Sequence, residues 1–99
     1  MILVRNTFRV KYGQAKPAIA AMKEIRELAK RLGMSAPSRL LSDLTGSAYT
    51  LVLEHQYENL TLWEQESKTM MGKPEWGAAY SKFVPYVESG SREIFNIVE

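Results

Sequence analysis

Residues 2–11, ILVRNTFRVK, alternate between apolar and polar positions. Ile2, Val4, Phe8 and Val10 share one side with Asn6, and Leu3, Arg5, Thr7, Arg9 and Lys11 share the other. A period of two is that of a half-buried strand. After Gly13 the period lengthens. Ala18, Ala21, Met22, Ile25, Leu28, Ala29 and Leu32 fall on one stripe of a helix over residues 17–32. Lys23, Glu24, Arg26, Glu27, Lys30 and Arg31 are assigned to its solvated face. Pro17 suits the first turn, where a missing N–H costs nothing, and Gly33 closes the helix.

RLLSDLTG reads as a short strand ending at Gly46, and AYTLVLEHQY, residues 48–57, as a stronger one. Tyr49, Leu51, Leu53 and His55 alternate there with Ala48, Thr50, Val52 and Glu54, and Thr45-Gly46-Ser47 is the turn of a hairpin. Asn59 is placed to cap a helix running to Met71. Gly72 ends that helix and Pro74 starts another piece, on which Trp76, Tyr80, Phe83, Val84 and Val87 form a helical stripe. Pro85 removes a helical hydrogen bond and loosens the last turns, Ser89-Gly90 is the predicted stop, and residues 91–98 form the last strand. The order is βαββαβ with a broken second helix. This predicts an α+β, ferredoxin-like protomer in one domain over residues 1–99, with an antiparallel sheet and helices on one face.

Two helices cover one face of such a sheet, and a face left in water is normally polar. Here the second face carries Leu3, Val52, Phe95 and Ile97, with Arg5 and Glu54 placed to pair between them. An apolar patch of this kind on a small chain marks an interface. The expected partner is a second copy packed sheet to sheet, a homodimeric α/β barrel.

Composition narrows the chemistry. With no cysteine there are no disulfides or thiolate metal sites, and a single histidine argues against a zinc site, so no metal and no cofactor are expected. The net charge of +2 is spread along the chain without a basic block, which argues against nucleic acid. No apolar run approaches the ~20 residues of a membrane span, and MILVRNTF reads as a strand rather than a signal peptide, so the expected location is cytoplasmic.

VRNTFRVKYG, the tryptophan-bearing KPEWGAAYSKF and the closing FVPYVESGSREIFNIVE together resemble the dimeric α/β-barrel superfamily. The likeness is greatest to NIPSNAP-like and antibiotic-biosynthesis monooxygenase-like proteins. The resemblance implies a ferredoxin-like protomer, a barrel formed by two sheets, and a cavity between sheet and helices. Members include cofactor-free oxygenases of aromatic polyketides, haem-degrading enzymes and proteins without assigned activity. The haem-degrading members use an asparagine on the first strand, a tryptophan on the second helical region and a histidine ligand to iron. Asn6 and Trp63 match the first two, but Tyr80 stands where the ligand is expected, and tyrosine as a haem ligand departs from that pattern.

Asn6, Tyr80 and His55 are therefore the candidate catalytic residues, with Trp63, Trp76, Phe8 and Phe83 as candidate walls of a site for a small apolar or aromatic ligand. Each also has a plainer reading. Asn6 can serve as a buried amide bonded to a neighbour, His55 as a surface or interface residue, and the aromatics as core. Two functions stay open: a cofactor-independent oxygenase or related enzyme, and a non-catalytic binding or structural module. An open cavity with Asn6 and Tyr80 converging on it favours the enzyme, and a filled cavity favours the module.

Overall fold

The computed structural model describes residues 1–99. In chain order the elements are β1 (Ile2–Val10), α1 (Ala15–Arg31), β2 (Ser38–Ser42), β3 (Thr50–Tyr57), α2 (Leu60–Met71), α3 (Pro74–Phe83), a 3-10 turn (Val84–Tyr86) and β4 (Val87–Asn96). The strands form one antiparallel sheet in the order β2-β3-β1-β4. The ferredoxin-like α+β architecture read from the sequence is present, with the second helix split at Gly72–Lys73.

Local chemistry explains where the elements stop. The amide of Met34 donates to the carbonyl of Ala29 at 2.9 Å and that of Gly33 to Lys30 at 3.1 Å, a Schellman closure of α1. Gly33 supplies the required positive φ of 103°. Asn59 caps α2 as expected, its Oδ1 accepting from the amide of Leu62 at 2.9 Å.

α1 starts two residues earlier than the sequence reading put it and β4 ends two residues earlier, and two connections differ by more than that. The β2–β3 connection is longer, covering residues 43–49, so Ala48 and Tyr49 lie outside β3. Asp43 and Thr50 pinch this loop. The Asp43 amide donates to the Thr50 carbonyl at 3.1 Å, and the Thr50 amide donates to Asp43 Oδ1 at 2.9 Å. The second difference is at Pro85. The helix stops at Phe83, two residues ahead of the proline, and β4 begins at Val87. Ser89 and Gly90 are therefore strand residues opposite Arg9 and Phe8. Val84 keeps helical dihedrals (φ −50°, ψ −42°), but Pro85 has no amide to donate to the preceding turn, so the chain closes one 3-10 turn, with the Val87 amide on the Val84 carbonyl, and then extends. One extra residue between Arg9↔Ser89 and Val10↔Val87 makes a bulge where β4 starts.

The core lies between sheet and helices. Val10, Ala18, Met22, Ile25, Leu51, Leu53 and Phe83 form its main cluster, and Ile2, Val4 and Tyr57 form a second one under the other end of the sheet. The opposite face of the sheet carries no helix. Register places Glu93 of β4, Arg5 of β1, Glu54 of β3 and Arg39 of β2 in one row across all four strands, alternating in sign. Glu54 accepts from Arg5 Nε at 2.8 Å and from Arg39 Nη2 at 2.7 Å. Its carboxylate is 3% exposed although no helix covers it, because the two guanidinium arms lie over it. That cover is thin, since the Arg39 side chain is itself 69% exposed.

Burial pushes the Glu54 carboxyl up, but the hydrogen bonds and charges of Arg5 and Arg39 outweigh this and hold it below its ordinary value. The folded pKa therefore lies below the unfolded one. The resulting stability is complete above the unfolded value and disappears as pH falls through the folded one. Glu54→Gln should lower the melting temperature at pH 7 and have little effect in strong acid, below about pH 2. An equal loss at both pH values in thermal melts would assign the defect to packing rather than to charge.

Candidate functional site

The helix-side face of β1 presents Val4, Asn6 and Phe8, and register sets them beside His55, Leu53 and Leu51 of β3 and Ile94, Arg92 and Gly90 of β4. α2 buries only Met70, so it does not fill the space above this part of the sheet. A cavity of about 850 Å³ remains between the sheet and the three helices. It opens to solvent, and thirteen of its twenty-four lining residues are hydrophobic. Apolar walls with a few convergent polar groups are the usual character of a small-molecule site. A cleft of about 510 Å³ by the β2–β3 loop has one hydrophobic lining residue, Phe8, and lacks that character.

Six of the seven sequence candidates line this one cavity: Asn6, Phe8, His55, Trp63, Trp76 and Tyr80. Phe83 does not. It is 1% exposed and stands behind the wall, edge-on to Phe8 at 5.1 Å and tilted against Tyr80 at 5.9 Å. Trp76 and Tyr80, four residues apart on α3, stack at 4.9 Å with 14° between their rings.

Asn6 is held by a residue from the far end of the chain. Arg92 Nε donates to Asn6 Oδ1 at 2.8 Å. An arginine can only donate, so the Asn6 oxygen must face it, and the amide NH₂ is the group left to donate elsewhere. The Arg92 guanidinium also lies over the Trp63 ring, 5.2 Å from its centroid. His55 is partly buried, and its ring makes no hydrogen bond within the chain. Burial, and then the charge of Arg26, push its pKa below the ordinary 6.5. It is thus a neutral imidazole near pH 7, able to accept a proton. Asn6 and His55 are diagonal neighbours on adjacent strands, a spacing of about 7–8 Å.

Both cavity arginines escaped the sequence reading. Arg92 sits two residues from Gly90 and from Ile94, so alternation alone put it on the helix side of β4. Arg26 was assigned to the solvated face of α1. It lies four residues after Met22 and three before Ala29, both buried, and so borders the buried stripe. Its Nη2 donates to Ser38 Oγ at 3.0 Å, while its Nε is buried without an acceptor. A buried donor left unpaired costs about 1–3 kcal/mol.

No family model matches the sequence, and no curated protein does. Crystal structures do match. A NIPSNAP domain protein from Burkholderia xenovorans aligns with a TM-score of 0.87 at 16% identity, over 99% of this chain and 95% of that one. The chain has the NIPSNAP-domain fold. A NIPSNAP family protein from Agrobacterium tumefaciens aligns with a TM-score of 0.86 at 14% identity, over 99% of this chain and 93% of that one. SnoaB, a cofactor-independent oxygenase from Streptomyces nogalater, aligns with a TM-score of 0.74 at 10% identity, over 99% of this chain and 93% of that one. The resemblance read from the sequence is thus a likeness of fold along nearly the whole chain.

Within this NIPSNAP-like fold no cluster of His, Cys, Asp or Glu is assembled that could hold a metal ion. Haem is a poor fit: the tyrosine at the expected ligand position has one ring face against Trp76, and His55 projects from β3 rather than from a helix. No helix is long and apolar enough to cross a membrane.

Tyr57 closes the floor of the cavity. Its hydroxyl donates to Glu66 Oε1 at 2.7 Å, tying β3 to α2. Burial, followed by the hydrogen bond and charge of Glu66, raises its pKa well above the ordinary 10. In an ultraviolet titration of the five tyrosines, Tyr57→Phe should leave the phenolate absorbance unchanged up to about pH 11. A loss of one titrating phenol below that pH would mean that the Tyr57–Glu66 bond is not maintained in solution.

Proposed function

We propose that the chain acts as a homodimer in which each cavity binds a small aromatic, polyketide-like molecule and oxygenates it without a cofactor. The observation carrying this reading is that Asn6, His55, Trp63, Trp76 and Tyr80 line a single apolar cavity. An acidic C–H or O–H on such a substrate gives up its proton to the neutral His55. The Asn6 amide, oriented by Arg92, donates to the oxyanion that develops. Phe8, Trp63 and the Trp76–Tyr80 stack hold the ring system away from water, where electrostatic stabilisation is stronger. Oxidation of an anthrone then balances with dioxygen alone. The methylene carbon takes one oxygen atom as a carbonyl, and the other leaves as water with the two methylene hydrogens.

The fold seen in SnoaB, a cofactor-independent oxygenase, supports this chemistry. Dithranol, an anthrone, is a suitable probe, with oxygen uptake followed at an electrode. Uptake should exceed the spontaneous rate, and His55→Gln should reduce it by about 10²-fold or more. The rate should rise with pH through an inflection below 6.5, the ordinary histidine value, and then level off, because the base must be neutral to act. Dithranol that binds without oxygen uptake would instead identify a non-catalytic binding module.

The dimer follows from the uncovered sheet face. Leu3, Val52, Leu41 and Phe95 flank the row Glu93, Arg5, Glu54, Arg39. A row that alternates in sign is self-complementary under a two-fold axis, and the apolar residues beside it supply the buried area. Native mass spectrometry should find a dimer at micromolar concentration. Val52→Asp should convert it to a folded monomer, whereas a wild-type monomer would remove this part of the proposal.

A further inference from the structure

The cavity has a charge bias that oxygenation of a neutral aromatic does not require. Its lining includes four cations, Arg26, Lys30, Lys68 and Arg92, against one carboxylate, Glu64. The molecule's ion pairs are Arg5–Glu54, Arg39–Glu54 and Lys30–Glu27, so neither cavity arginine has a carboxylate partner. The two also differ in how they are engaged. Arg92 is exposed at the rim, with its Nε given to Asn6 and its guanidinium over the Trp63 ring. Arg26 is partly buried on α1, bonded only to Ser38, with its Nε lacking any acceptor. A guanidinium taken out of water needs a counter-charge, and the fork of a carboxylate matches its donors. The chain supplies no such group here.

We propose that the ligand of this cavity is an aromatic carboxylate, its anionic end seated at Arg26 beside Ser38 and His55 and its ring system against Trp76 and Tyr80. The proposal rests on the cavity reading above and narrows its substrate class. Arg26 supplies the fixed charge deep in the site, and Arg92 closes the rim over Asn6 and Trp63. A bound carboxylate gives the Arg26 guanidinium the acceptor it lacks.

The test uses a matched pair of probes, 2-naphthoate and the uncharged 2-naphthamide, titrated calorimetrically into the full chain. Naphthoate should bind about tenfold or more tightly, the scale of a hydrogen bond to a charged group. Arg26→Met should bring naphthoate down to the affinity of naphthamide while leaving naphthamide within about twofold, and Arg26→Lys should restore part of the preference. The single histidine gives an unambiguous position signal. Naphthoate should shift the imidazole resonances of His55 more than naphthamide does, in wild type and in Arg26→Lys, so the placement can be judged even if Arg26→Met does not fold. Equal affinities for the two probes would overturn the anion assignment and leave the cavity reading standing. A preference lost in Arg92→Met but kept in Arg26→Met would overturn the placement at Arg26. Binding of neither probe would overturn both the assignment and the cavity reading beneath it.

Discussion

β1 is hydrogen-bonded along both edges, to β3 and to β4, so its alternation determines what the middle of the sheet presents on either side. Val4, Asn6 and Phe8 face the helices, and Leu3, Arg5 and Thr7 face away. A slip of one residue would exchange the two sets and place Arg5 in the cavity and Asn6 on the open face. The Arg5–Glu54 pair on one side and the Asn6–Arg92 pair on the other both depend on this register. The same strand therefore sets the core, the cavity and the uncovered face.

The helices complete the cavity by differing in what they bury. α1 packs a full stripe, Ala18, Met22, Ile25 and Ala29, and supplies most of the helical contribution to the core. α2 and α3 each bury one residue, Met70 and Phe83. A second helix as amphipathic as α1 would settle onto the sheet and fill the space. Split at Gly72 and anchored through the Tyr57–Glu66 bond, α2 stands off instead, and aromatic and methionine side chains form the walls that backbone does not reach.

Much of this was legible in the residues, because the strongest signals are periodic. The alternation of β1, the stripe of α1, the Asn59 cap and the Gly72–Pro74 break each have one physical cause acting over a few residues, and each falls where the sequence puts it. The errors arise where two causes compete. Val84 and Val87 continue the α3 stripe, yet Pro85 overrides the pattern, and the chain is extended by Val87. Asp43 and Thr50 lengthen the β2–β3 loop through a side-chain bond that no periodicity announces. Arg26 looked solvated because it is charged, although its spacing from Met22 and Ala29 put it at the margin of the buried stripe. Arg92 was on the correct face by alternation, but its partner lies 86 residues earlier, and no local pattern spans that distance.

That separation bears on how the molecule is made. The β1–β4 pairing joins the two ends of the chain, so its loop-closure entropy is repaid only when distant segments meet. β1 and β3 can pair first, across a shorter interval, and carry α1 with them. Until β4 docks, Asn6 has no Arg92, Phe8 has no Gly90 to lean on, and the cavity lacks one wall. The site is thus complete only when all four strands are paired. A ligand that needs all four strands binds only the native state, and by mass action it draws the chain through this final closure.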